Sequence, residues 1–293
     1  MARLSGWLKQ NYDGAITLVV VGVAIVLGLL NVLSASPIDQ AILFVLGLLA
    51  YTILRERHRT DRLAQQPQAV RLLYSDEIRT ELSEARRRTS HWTFKGGTGT
   101  YLRAVTLPDC IGYAEARRRN FRIQAEIVDP TNETVCEYYA NMRRHSRPDG
   151  TAEPWTPIRT RNESYATILA ACWYQQRHAT LTMEVALSST VPTFRWDLSS
   201  DRVFITQEDP SPHLMFSEPS PHYNFCTREL DSSFKQATRL RLDQGRKVHL
   251  SEQPTVDETR RLFAALDMGL DAIGDRDVEQ IIQRALRPRN PYP

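Results

Sequence analysis

The residues whose types and spacing could do chemistry are concentrated in KGGTGT, residues 95–100, between a short run of β-forming residues and a helical pattern. Glycine N–H groups at such a strand-to-helix junction can hold an anion, and flanking cations would neutralise it. The candidate anion site comprises Lys95, Gly96, Gly97, Thr98, Gly99 and Arg103. The alternative is that the glycines only form the corner, and the sequence favours this reading because the stretch matches no phosphate-binding fingerprint.

Other well-known site chemistries lack their motifs in this sequence. A Walker A loop needs its lysine after the second glycine, whereas Lys95 precedes the glycines. The sequence has no G-x-S-x-G, no H-E-x-x-H and no C-x-x-C, and we therefore expect neither a metal nor a cofactor. The four cysteines are far apart and are typical of interior residues in a reduced compartment: Cys110, Cys136, Cys172 and Cys226.

The 293 residues have room for one or two domains, and the net charge of +3 does not mark a nucleic-acid binder. Arginine runs close predicted helices at residues 86–88, at residues 117–119 and at Arg143, Arg144 and Arg147. There they complement the negative end of the helix dipole. We do not expect nucleic acid as a partner, because single-strand binding would require aromatic residues interleaved on the same face.

Two apolar runs near the amino terminus predict a membrane hairpin. Residues 15–33 carry no charge and are long enough to cross the hydrocarbon layer, and residues 37–54 supply a shorter second run after a turn. A signal peptide is the alternative, but the first run lacks a convincing cleavage site and a second run follows at once. The hairpin interpretation makes the lipid bilayer a partner of the chain.

The distribution of cations orients the predicted hairpin. Four arginines lie in RERHRTDR, residues 55–62, and cations also precede the first run, whereas the connecting loop has neither lysine nor arginine. The positive-inside rule then places both termini in the cytoplasm, as in a multi-pass protein of the bacterial inner membrane. Two crossings cannot enclose a pore, so any channel activity would require a homo-oligomer.

The predicted organisation has four parts. Residues 1–54 form the hairpin, 55–89 a juxtamembrane linker with an amphipathic helix over 68–89, 90–250 an α/β domain, and 251–293 a helical segment and tail. The helix is either a stalk that pairs with copies of itself or a helix packed on its own domain, and the sequence leaves both open.

Alternating apolar residues predict the strands of the domain, at HWTF, FRIQAEIVDP, TLTMEVAL and twice within TFRWDLSSDRVFITQ. Helices are expected between them, one of them opened by Asp129 as its N-cap. The proline-rich residues 208–225 predict a long loop. A capping box at Thr255 and Glu258 opens a helix that we expect to reach Ile273. This order predicts an α/β fold with a mixed sheet.

The succession of strands and helices over residues 90–210, with TFRWDLSSDRVFIT at its end, resembles one half of the phospholipase D-like fold. Active members carry a histidine, a lysine two residues on and then an aspartate. In this sequence those positions hold Thr193, Arg195 and Ser200, with Asp201 adjacent. The resemblance therefore implies a degenerate site without catalytic residues, in which Arg195 and its neighbour Thr193 remain candidates for anion binding.

Two classes of function follow. The first is a non-enzymatic membrane-anchored sensor or effector that binds a phosphate-bearing ligand or a protein partner, an arrangement similar to the small two-crossing effectors of bacterial anti-phage systems. The second is a membrane enzyme similar to the cardiolipin synthases, although those carry two intact catalytic motifs. A scaffold that localises a partner is a third alternative.

Overall fold

The computed structural model describes residues 70–146, 154–207 and 213–291, and before them the isolated helical positions Val45, Leu49 and Thr52. The chain divides into two compact units, Met1–Gln68 and Ala69–Pro293. The predicted membrane hairpin lies almost wholly outside the described residues. Within the described part of the chain, no helix is both long and apolar enough to cross a membrane.

The second unit is a mixed α/β fold built on one eight-stranded sheet. Its strands are β1 Val70–Leu73, β2 His91–Lys95, β3 Phe121–Val128, β4 Leu181–Ser188, β5 Arg195–Leu198, β6 Arg202–Thr206, β7 His213–Ser217 and β8 Thr238–Arg239. Its helices are α1 Ser75–Arg88, α2 Leu107–Ala116, α3 Glu133–Ser146, α4 Pro157–Arg177, α5 Pro221–Gln236, α6 Leu242–Gly245, α7 Val256–Ala265 and α8 Asp275–Leu286, with a π-helical turn Leu102–Thr106 leading into α2.

The strand order is β1-β7-β6-β5-β2-β3-β4-β8. The three neighbouring strands β2, β3 and β4 are parallel, and every other neighbouring pair is antiparallel. The predicted mixed sheet is confirmed, and so are the five strands read from the alternating segments. Parallel strands need crossover connections, and α2 and α4 supply them with their apolar stripes on the sheet.

Alternation along the strands creates two different faces. Phe121, Ile123 and Ala125 of β3 point into the main core, which α1, α2, α4, α7 and α8 cover. On the other face, Leu198 and Val203 pack against Leu230 and its neighbours on α5. A period of two in the strands and an apolar stripe on each helix therefore account for the layered arrangement. All four cysteines are buried and unpaired, as expected.

The helix predicted over 68–89 begins only at Ser75, which corrects its start. Residues 70–73 instead form an edge strand that pairs with β7, because the backbone hydrogen bonds of a sheet edge outweigh the weak helical preference of this short segment. Ile78, Leu82 and Ala85 of α1 are buried in the main core. Of the two alternatives, the helix is packed on its own domain.

Three local predictions were wrong. The proline-rich segment 208–225 contains β7 and the first turn of α5, whose N-cap Ser220 accepts a hydrogen bond from Tyr223 N. The helix opened by the confirmed Thr255 capping box ends at Ala265, well before Ile273. Asp129 accepts from Thr131 N in a tight turn, and Asn132 is the residue that caps α3.

We predict that Gly99→Ala lowers the free energy of unfolding by about 2 kcal/mol, because Gly99 has a φ of +74° and an added Cβ would lie 2.9 Å from the Thr167 side chain. Gly112→Ala is the matched control. It lies in α2 with nothing within 4 Å of an added Cβ, and it should raise stability by about 0.5–1 kcal/mol. Urea unfolding followed by tryptophan fluorescence measures both. Equal effects of the two variants would contradict the strain at Gly99.

Candidate functional site

The candidate residues meet at the carboxyl edge of the sheet, which we define as the edge where β2, β3 and β4 end. Lys95 ends β2 and pairs with Glu126 of β3. On the other side it pairs with Trp196 of the antiparallel strand β5, so Arg195 begins its strand at the same edge. In open α/β sheets this edge is where ligands bind.

The glycine corner is held from several sides. Gly96 N donates to Glu126 O at 3.1 Å, and Gly97 O accepts from Val128 N at 3.0 Å. Gly97 lies against the ring of Tyr139, where a Cβ atom has no room. Thr98 is buried, and its carbonyl accepts from the hydroxyl of Thr167 at 2.7 Å. The glycine corner is therefore a rigid part of the fold. This agrees with the alternative in which the glycines only form the corner.

Arg103 is committed to contacts inside the protein. Only 1% of the residue is exposed, and its guanidinium forms a salt bridge with Glu163. Nη1 donates to Glu163 O at 3.0 Å and to Thr167 Oγ1 at 2.5 Å, while Nε donates to Arg284 O at 2.9 Å. Arg103 therefore serves the interior rather than an open anion site.

Glu163 is the centre of this network. Its Oε1 accepts from Arg284 Nη1 at 2.5 Å, and its Oε2 accepts from Thr100 Oγ1 at 3.1 Å as well as from Arg103. Burial acts to raise the pKa of this carboxyl, but the guanidiniums of Arg103 and Arg284 outweigh burial and hold the pKa below its ordinary value. The network joins the glycine corner, α4 and α8.

Lys95 belongs to a second closed group. Its Nζ donates to Ser233 Oγ at 2.5 Å, and Ser233 Oγ donates to Glu126 Oε1 at 2.9 Å. The ammonium lies 3.7 Å from the same carboxylate oxygen. A serine between an ammonium and a carboxylate lacks a neutral base to activate it, so this trio is suited to binding rather than to nucleophilic attack. Glu126 Oε2 is buried and has no hydrogen-bond partner among the residues that the structure describes.

Arg195 is held in place by its neighbours. Its Nε donates to Asp197 Oδ2 at 2.6 Å, and its guanidinium lies 4.4 Å from the centre of the Tyr101 ring. Asp197 is fully buried, and its other oxygen accepts from Trp92 Nε1 at 3.0 Å. The Arg195 side chain keeps 18% of its surface exposed, beside Gly96 at the carboxyl edge. This gives a positioned cation that solvent can reach.

The structure thus separates the predicted residues into groups. Gly96 and Arg195 lie next to each other at the carboxyl edge, whereas Thr98, Gly99 and Arg103 face α4. Thr193 is exposed in a bend two residues before Arg195. Sequence reasoning missed the partners, because they lie far away along the chain or on the same strand: Glu126, Glu163, Asp197, Ser233 and Arg284.

Comparison with known proteins leaves the family open. No family model matches the chain, and no curated protein does. One structural neighbour is TrmBL2, an archaeal chromatin protein with a novel mode of DNA binding, at 8% identity and a TM-score of 0.33, covering 69% of this chain and 67% of that one. Another is phosphatidylserine synthase of Haemophilus influenzae Rd KW20, at 9% identity and a TM-score of 0.42. The alignment covers 74% of this chain and 45% of the synthase, less than half of its length.

We predict that Glu163→Gln lowers the free energy of unfolding by about 3–5 kcal/mol, because it removes the carboxylate that pairs with the buried Arg103 and with the partly buried Arg284. The contribution of Glu163 should be complete above its ordinary pKa of 4.5 and be lost as the pH falls through its lower folded pKa. Denaturant titrations across that range measure the slope. Glu279→Gln, at an exposed position of α8, should change neither stability nor slope, and an unchanged acid slope in Glu163→Gln would refute the assignment.

Proposed function

We propose that this chain is a membrane-anchored, non-enzymatic sensor or effector whose α/β domain binds a phosphate-bearing ligand at the carboxyl edge. The single observation that carries the proposal is Arg195, a guanidinium oriented by Asp197 and Tyr101 beside Gly96. A pre-oriented guanidinium is well suited to a phosphate group, because its planar fork matches phosphate geometry. The proposal includes the finer interpretation that residues 90–210 are a phospholipase D-like half with a degenerate site.

The neighbourhood of Arg195 supports binding over catalysis. Thr193, at the position where active relatives hold their histidine, is exposed in a bend. A threonine hydroxyl needs an adjacent general base before it can attack phosphorus, and a phosphohistidine intermediate needs an imidazole. Lys95 and Ser233 form their closed group with Glu126 instead. These contacts favour recognition of an anion without turnover.

The Glu163 network supports a sensing role. Thr100, at the end of the glycine corner, and Arg103 both contact Glu163, which also holds Arg284 of α8. A ligand that presses on the corner would therefore act on a buried charge network shared with the C-terminal helix. We propose that this change reaches the predicted hairpin at residues 1–54 in the bacterial inner membrane and acts through homo-oligomers, in an anti-phage role.

A cellular experiment tests the proposal as a whole. The full chain and a form without residues 1–54 are expressed separately, and membrane potential is followed under phage challenge. We expect depolarisation with the full chain alone. An unchanged potential in both strains would refute the effector function, and phospholipid turnover that Thr193→Ala or Arg195→Ala abolishes would establish the enzyme in its place.

We predict that Arg195→Gln weakens binding of a simple phosphate probe, inorganic pyrophosphate, by about 10–100-fold, because one charge-assisted hydrogen bond contributes about 1.5–3 kcal/mol. Arg276→Gln, an exposed arginine at the start of α8, is the matched control and should bind pyrophosphate like the unmodified chain. Isothermal titration calorimetry on the detergent-purified full chain measures both. Equal affinity of the two variants for pyrophosphate would show that Arg195 does not contribute to the binding site.

A further inference from the structure

The opposite edge of the sheet, where β2, β3 and β4 begin, gathers two arginine runs, residues 86–88 and 117–119. α1 ends at Arg88 just before β2, and α2 ends just before β3. The two helix ends touch, because Arg117 Nη1 donates to Arg87 O. Arg86 is buried and paired with Asp109, whereas the other five arginines are exposed. We call these five the arginine edge: Arg87, Arg88, Arg117, Arg118 and Arg119.

A cationic cavity continues the arginine edge toward β4. It has a volume of about 540 Å³ and is lined by Gln175, Gln176, Ala179, Arg246, Lys247 and His249. No carboxylate is among these lining residues. His178 joins the two regions. It precedes Ala179 of the cavity lining, and its Nδ1 lies 2.5 Å from Glu115 Oε1 in the last turn of α2.

The cavity is built by specific contacts. Gln176 Nε2 donates to Gly245 O and Val248 O, and its Oε1 accepts from Leu250 N, so this side chain fixes the loop that carries the cations. With the Gln175 amide oriented by its hydrogen bonds, its oxygen accepts from Arg246 Nη2 at 2.6 Å. Within the part of the chain that the structure describes, neither Arg246 nor Lys247 forms a salt bridge with a carboxylate.

The backbone conformation of Arg118 is an independent indication that the arginine edge has a functional role. α2 ends in a Schellman motif, in which Arg119 N donates to Ala114 O and Arg118 N donates to Glu115 O. Arg118 occupies the left-handed position of this motif, with a φ of 52°, where glycine is the usual residue. An arginine at this position strains the backbone and adds a charge beside four others. Complementing the negative end of the helix dipole requires neither an arginine in the left-handed conformation nor five clustered charges.

The chain enters the domain at this same edge. Four antiparallel pairings connect β1 to β2 through β7, β6 and β5, so β1 runs in the direction of β2 and begins, at Val70, on the edge where β2 begins. Residues 55–69 separate Val70 from the end of the second predicted membrane run. Fifteen residues span at most about 50 Å, which is the longest reach that this linker allows.

We infer that the arginine edge and the adjoining cationic cavity dock on anionic lipid headgroups of the bilayer that anchors the chain. The inference rests on the membrane anchoring in the proposed function and on no other part of it. Exposed arginines attract an anionic bilayer within a Debye length, and tethering maintains a high local concentration of that surface. The arginine edge itself contains no aromatic residue, and Val70, the exposed apolar residue where β1 begins, has no ring that could stack on a base of single-stranded nucleic acid.

The experiment places the full chain in nanodiscs of phosphatidylcholine alone or mixed with phosphatidylglycerol. Hydrogen–deuterium exchange is then read over residues 85–90 and 114–122. We expect exchange about threefold slower in the anionic discs, and we expect high salt to abolish the difference. Arg118→Gly with Arg119→Gln should lose most of the slowing while keeping or raising the thermal midpoint, because glycine relieves the left-handed backbone.

The matched control is Arg228→Gln with Arg276→Gln, which removes two exposed charges from α5 and α8 and should keep the slowing. Arg87→Gln with Arg88→Gln is a second test pair should the first fail to fold. Equal exchange in both kinds of disc, an equal loss in the control, or slowing by an added oligonucleotide in neutral discs would each overturn the inference. Release of the chain from membranes by a carbonate wash would instead refute the membrane anchoring. Anionic vesicles added to the released, soluble chain would still test the arginine edge.

Discussion

The fold depends on one buried carboxylate, Glu163, which carries the counter-charge for two guanidiniums. A charged group in the interior is costly unless it is paired and hydrogen-bonded, and this network meets both conditions. It joins three parts of the chain that no β-sheet ladder connects: the glycine corner after β2, the helix α4 and the C-terminal helix α8. The position of the corner, and with it the carboxyl edge, therefore depends on a carboxylate more than 60 residues away along the chain.

Charge pairing makes the two edges of the sheet chemically different. At the carboxyl edge, the cations contact carboxylates that are buried themselves: Lys95 with Glu126, Arg103 with Glu163 and Arg195 with Asp197. At the opposite edge the five arginines of the arginine edge are exposed. Paired and partly buried cations favour a small ligand bound with defined geometry, whereas a field of exposed arginines favours an extended anionic surface.

The central strands could be predicted from sequence because β3 and β4 each alternate over eight residues, a pattern that a half-buried strand dictates. The strands β1 and β7 could not be predicted from sequence. Each has only four or five residues, lies at or next to the edge of the sheet, and is stabilised by pairing with the other. The candidate site was predicted in part. The corner and Arg195 were visible as residue types at a junction, but Glu163, Glu126 and Ser233 could not be connected to them without the fold, since their separations exceed any local pattern.

The helix α4 connects the two edges physically. Its 21 residues span about 31 Å, with Glu163 near its beginning at the glycine corner and the Gln175–Gln176 pair near its end at the cationic cavity. Residues 164–172 between them are buried, so the helix moves as one packed body with its surroundings. In the proposed function, a displacement of Glu163 by the ligand would be transmitted along this helix to the Gln176 contacts that hold the Arg246 loop. An anion bound at the carboxyl edge, as the proposed function requires, would thereby alter the surface presented at the opposite edge.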